Sequence, residues 1–167
     1  MKFTFVVDIN STPEIVFSWI GTPERAMEWQ SNISRTEILQ ATPDMIGTTF
    51  RETIEEDGRS VEMQGTVTDY QQNRVLAMEL GGKYNNVEVE YRLEDMGRYT
   101  RLTMSSNIQF RSYLKILVVF LWPFFKSKLV GQLNREYARL KELCERDTLA
   151  VQSGEGNKGD AGYTQRR

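Results

Sequence analysis

Glu52 is the residue of this 167-residue chain whose type and position could do chemistry. It shares strand parity with Phe50 and Ile54, so if that side faces inward a carboxyl faces inward with it. Buried, such a group would have a raised pKa and could act as a general acid or base, or hold a ligand hydroxyl. Tyr91, in the alternating run Val87, Val89, Tyr91, Leu93, can present its hydroxyl to the same space. Both have plainer readings: a strand end or bulge would return Glu52 to water, and a buried tyrosine is commonly satisfied by a backbone partner. No second inward carboxylate pairs with Glu52, so two-carboxylate acid and base chemistry has little support.

The chain has no histidine, which excludes Ser-His-Asp and Cys-His catalysis, imidazole metal sites and a histidine pH switch. Its one cysteine, Cys144, can form neither an internal disulfide nor a thiolate zinc site, so nothing points to an oxidising compartment and the cytoplasm is the expected location. Gly81-Gly82 reads as a turn, and no glycine pattern suited to phosphate occurs. Neither a metal nor a cofactor is expected. Lys plus Arg (21) nearly balance Asp plus Glu (23), and that net charge of −2 lacks the basic excess of a nucleic-acid binder. MKFTFVVDIN does not read as a signal peptide. The longest apolar run, Ile116 to Phe125, is ten residues with Pro123 inside, about half of a bilayer span.

The elements that must position Glu52 and Tyr91 follow from periodicity. Residues 2–10 alternate, with Phe3, Phe5, Val7 and Ile9 on one side, which predicts a half-buried strand. Two short helices follow. In the first, Ser11 or Thr12 can cap, Pro13 takes the first turn, and Ile15, Val16, Trp19 and Ile20 share a face; Thr22, Pro23, Met27 and Trp29 repeat the device. From Ile33 to Asn107 strand-like runs alternate with turns: Ile33 to Gln40, Thr48 to Glu56, Val61 to Tyr70, Val75 to Leu80, one around Val87 to Leu93, and Tyr99 to Asn107. Asp57-Gly58 is a hairpin signal. Connections this short make the sheet an antiparallel meander. After Gln109 the period becomes helical, with Leu114, Leu117, Leu121, Phe125, Leu129, Leu133, Tyr137, Leu140 and Cys144 on one stripe; Pro123 should kink or divide that helix. From Asp147 onward small and polar residues predict a disordered tail.

A curved sheet cannot be filled by one helix about 10 Å wide, so a cavity is expected between them. Its predicted wall is Phe5, Phe50, Met63, Met78, Tyr91, Met104, Leu117, Leu121 and Phe125, with Trp19 and Trp29 closing one end as packing residues or as a gate. Methionine suits such a wall because its thioether is flexible and polarizable. Ordinary core is the competing reading for each of these residues.

Strand one followed by STPEIVFSWIGTPERAMEW resembles the opening of the helix-grip, START-like (SRPBCC) superfamily, in its polyketide cyclase/dehydrase and lipid-transport branch. There an entry of the form I-x-a-x-P-E-x-V-F leads into d-P-x-x-x-x-x-W; here Ile9, Pro13, Glu14, Val16, Phe17, Pro23 and Trp29 occupy those positions. Gly47-Thr48 and the closing LNREYARLKELCE are similar too. The resemblance covers residues 1–146, taken as one ligand-binding domain, with 147–167 as tail. It implies an α+β helix-grip fold: a curved antiparallel sheet of six to seven strands around a long C-terminal helix, with two short helices after the first strand. It also implies a hydrophobic pocket, without naming a reaction.

Three functions are compatible with this reading. The first is binding or transport of a small hydrophobic molecule, a lipid or polyketide-like compound. The second is a cyclase/dehydrase-type enzyme in which Glu52 or Tyr91 moves a proton. The third is a membrane-surface adaptor using residues 111–128, where Arg111, Lys115, Lys126 and Lys128 flank the apolar run and Trp122. No feature sets an oligomeric state.

Overall fold

The computed structural model describes residues 1–56, 58–83, 85–111 and 115–154, the side chains of Glu56 and of 115–126 excepted. Seven strands, β1 (Lys2–Ile9), β2 (Ile33–Gln40), β3 (Thr49–Glu56), β4 (Arg59–Gln71), β5 (Val75–Gly81), β6 (Asn85–Asp95) and β7 (Thr100–Phe110), form one sheet. Its order is β1-β7-β6-β5-β4-β3-β2 and every pairing is antiparallel. The meander is therefore continuous from β2 to β7, with β1 added at the far edge, and β1 and β2 do not close on one another. Two short helices, α1 (Pro13–Gly21) and α2 (Pro23–Trp29), link β1 to β2, and α3 (Lys115–Gln152) ends the fold. This is the expected helix-grip α+β architecture.

Local sequence explains most of these bounds. Prolines open α1 and α2, where a missing N–H costs nothing. Thr12 and Thr22 occupy the cap positions but neither side chain caps. Ser11 serves elsewhere: its hydroxyl accepts from Thr148 at 2.7 Å and its carbonyl from Thr100 at 2.7 Å. β3 and β4 meet at Glu56 and Arg59, with Gly58 at φ +75° in the turn. Asp57 lies outside the described residues.

The β4 bulge between Val67 and Asp69 was invisible in the pattern. Met63, Gly65 and Val67 face the core by simple alternation. One extra residue then turns Asp69 outward and brings Tyr70 inward against Phe17, with ring centroids 5.5 Å apart. Without the bulge an aspartate would sit where an aromatic now packs.

α3 is one helix straight through Pro123, so it is not divided there. Its C-terminal half buries Tyr137, Leu140, Leu143 and Cys144 against the core. The expected tail does not begin at Asp147, because α3 continues to Gln152. Two observations account for that extension. Asp147 accepts from Trp19 Nε1 at 3.0 Å, and Thr148 reaches Ser11, so tertiary hydrogen bonds hold a turn whose composition is too polar to predict it. Residues 155–167 lie outside the description. Among the described residues no helix is long and apolar enough to cross a membrane.

Candidate functional site

The inward face of the sheet is not covered uniformly. Near β1 and β7 it meets the C-terminal half of α3: Phe5 stacks on Tyr137 at 4.6 Å, Phe5 pairs with Met104 across the strands, and Met104 is buried. Over β3 to β6 the same face instead borders a cavity of about 400 Å³. β3 contributes Phe50, Glu52 and Ile54; β4, Met63 and Val67; β5, Leu76, Met78 and Leu80; β6, Val87, Val89 and Tyr91. The roof comes from Ile20, Pro23 and Ala26 of the two short helices, with Gln30 and Asn32 at their exit. Thr36 and Ile38 of β2 and Met45 and Thr48 of the following loop complete one side. Ile38 is also 47% exposed, so the cavity reaches solvent beside the β2 edge.

That loop is held open in a defined shape. Met45 has φ 68°, a left-handed conformation that costs a non-glycine residue of order 1 kcal/mol. The Thr42 side chain meets the Thr48 hydroxyl at 2.9 Å and the Ile46 carbonyl at 2.9 Å, while Gly47 N–H donates to Val67 at 2.8 Å. These bonds pin the loop to β4.

Glu52 lies in the cavity wall, between Thr36 on β2 and Met63 on β4 in register. Among the described wall residues it carries the one formal charge. It makes no hydrogen bond among the described residues, and burial pushes its carboxyl up to about 7. Tyr91, directly affected by that carboxylate, has its phenol raised above the ordinary range, first by burial and then by Glu52. Its hydroxyl faces that of Tyr137, whose phenol is raised further by burial and by Tyr91. Beside them Glu136 is buried, its Oε1 accepting from Ser31 N–H at 2.9 Å, Ser31 Oγ at 2.7 Å and Gln132 at 2.9 Å. It fastens α3 to the end of α2. The site can therefore exchange one proton near neutrality at Glu52, with Tyr91 remaining a neutral hydrogen-bonding phenol.

Phe50, Glu52, Met63, Met78 and Tyr91 thus line the cavity together. Phe5, Trp19, Trp29 and Met104 do not. Trp29 is buried with its Nε1 donating to the Trp19 carbonyl at 3.0 Å, and Trp19 packs under Arg25 at 4.7 Å while bonding Asp147. Both are pinned as packing residues at the junction of α1, α2 and α3. The side chains of Leu117, Leu121, Phe125 and Trp122 lie outside the described residues, as do those of Lys115 and Lys126. Arg111 donates to the Lys83 carbonyl at 3.1 Å. Strand parity could have found Val67, Leu76, Leu80, Val87 and Val89; nothing local pointed to Gln30 or Asn32, which reach the cavity through the turn of the chain after α2, or to Thr36, which lies beside Glu52 on β2. Cys144 is fully buried, and burial pushes its thiol up to about 12, which keeps it unreactive.

Gly65 sets the shape of the wall. A Cβ there would run into the tip of the Phe50 ring, which occupies the space over the glycine of its cross-strand pair. Gly65→Ala must swing Phe50 into the cavity. The expected result is a folded protein with apolar-dye affinity lowered about tenfold or more, measured by Nile red titration; unchanged affinity would show that Phe50 can move elsewhere.

An open antiparallel sheet gripped by a long C-terminal helix, with two short helices after the first strand, defines an α+β domain of the helix-grip class. Residues 1–145 match the family described as polyketide cyclase / dehydrase and lipid transport, and the chain belongs to that family. Solved structures share the fold at low identity. A START superfamily protein from Mycobacterium smegmatis is 18% identical with a TM-score of 0.72, covering 88% of this chain and 99% of that one. The Zhui aromatase/cyclase from Streptomyces sp. R1128 is 12% identical with a TM-score of 0.73, covering 93% and 98%. The protein TTHA0849 from Thermus thermophilus is 13% identical with a TM-score of 0.73, covering 89% and 99%. No curated protein matches the sequence.

Proposed function

We propose that the protein binds and carries a small hydrophobic molecule, a lipid or polyketide-like compound, in the cavity over β3 to β6. The observation that carries this reading is the roughly 400 Å³ of space left between an apolar sheet face and the two short helices, open beside Ile38. Its affinity comes from removing apolar surface from water, about 25 cal/mol per Å² before the costs of association. Family membership supports the same reading. Native mass spectrometry of gently purified protein is expected to show a co-purifying apolar molecule, and Nile red is expected to bind with saturation. An empty chain that neither binds the dye nor gains thermal stability from any member of a lipid panel would overturn it.

A second reading is favoured by one observation: the Glu52 carboxyl, held at about 7 beside Tyr91, is poised for proton transfer. Under it the protein is a cyclase/dehydrase-type enzyme acting on a flexible polyketide-like substrate folded by the cavity. Glu52→Gln would then abolish turnover while Nile red binding persists.

A further inference from the structure

We infer that Glu52 selects the polar end of the ligand, so that the cavity takes lipophilic molecules ending in a hydrogen-bond donor such as an alcohol or phenol and rejects those ending in a carboxylate. This rests on the reading of the cavity as a ligand site. The geometry that carries it is the composition of the wall. Of its described polar groups, Thr36, Thr48, Gln30, Asn32 and Tyr91 are neutral, and Glu52 alone carries a charge, with oxygens that have no hydrogen-bond partner among the described residues. No described lysine or arginine lines the space to offset a second negative charge. A ligand hydroxyl entering with its chain against Met63, Met78 and Val89 would donate to Glu52 and satisfy it. A ligand carboxylate would place two like charges in a partly desolvated space, where one of them must take up a proton before both fit. Glutamine at position 52 keeps the size and an acceptor but removes the charge.

The test is competition with Nile red at about pH 8, using decanol and decanoate, which share a chain length and differ at the end group. The wild-type chain is expected to prefer decanol by about tenfold or more. In Glu52→Gln, decanoate is expected to gain about tenfold while decanol stays within about threefold, and Glu52→Leu serves as a second variant expected to show the same gain for decanoate. The ratio of the two competitors, compared between variants, cancels their different water solubilities. An equal ratio in the wild type and both variants would overturn the role of Glu52 while leaving the cavity as a binding site. Failure of Nile red to bind the wild-type chain would remove the cavity reading itself, and this inference with it.

Discussion

Glu52→Gln is expected to stabilise the folded protein by up to about 3 kcal/mol above pH 7 and to leave it nearly unchanged at about pH 4, a shift readable by chemical denaturation at the two pH values. In the unfolded chain this carboxyl ionises at the ordinary glutamate value. In the folded chain it holds its proton up to about 7, because burial in the cavity wall disfavours the anion and no described hydrogen bond compensates. Below the ordinary value both states are protonated and burial of the neutral acid costs little. As pH rises from about 4.5 to about 7 the unfolded state gives up its proton first, so stability falls across that window and is level beyond it. Glutamine cannot ionise and escapes the loss. The figure is an upper bound, since water entering beside Ile38 hydrates part of the charge. Asp8 works in the opposite direction: the hydrogen bond from Arg101 holds its carboxyl below the usual range, so it favours the fold more as pH rises. It is present in both variants and cancels in the difference. An equal stability gap at both pH values would show that Glu52 is not held in its neutral form. A carboxyl whose burial weakens the fold, in a wall with no other formal charge among the described residues, is the pattern expected at a binding or reactive site.

Leu140→Ala is expected to cost about 3 to 4 kcal/mol in urea denaturation. Leu140 has no exposed surface and sits among Tyr137, Leu143 and Cys144 on the face of α3 that packs into the core. Deleting its side chain leaves a void that a helix pinned on both sides cannot collapse. The pins are hydrogen bonds flanking the site: Glu136 to Ser31, Lys141 Nζ to the Asp8 carbonyl at 2.7 Å, and Glu145 to Asn10 at 2.8 Å. Against a total of roughly 5 to 15 kcal/mol for a domain this size, that is a large fraction. Val130→Ala, on the same helix but 44% exposed, is the internal control and should stay within about 0.5 kcal/mol. A loss under 1 kcal/mol at Leu140 would mean that α3 repacks instead of holding its seat.

Most of the fold was legible because its signals are local. Alternation and the turn signals between strand-like runs placed the strands, prolines placed the starts of α1 and α2, and the change to helical period placed α3. What failed was also local in cause. The β4 bulge leaves no trace in composition, and the last turns of α3 look like a polar tail until Asp147 and Thr148 are seen bonded to Trp19 and Ser11.

The same division holds for the site. Strand parity decided which side chains share the inner face, and the structure puts Phe50, Glu52, Met63, Met78 and Tyr91 along one cavity. It equally selected Phe5 and Met104, which belong to that face but sit in core, Phe5 against the Tyr137 ring and Met104 buried beside it in register. Parity reports which side of a sheet a residue occupies; where a helix crosses that side depends on contacts between residues far apart in the chain. The sequence by itself therefore determined the elements, the inward set and the presence of one carboxyl in it. Only the tertiary structure decided which part of the face the C-terminal half of α3 covers, and hence that Glu52 borders a cavity while Phe5 sits in core.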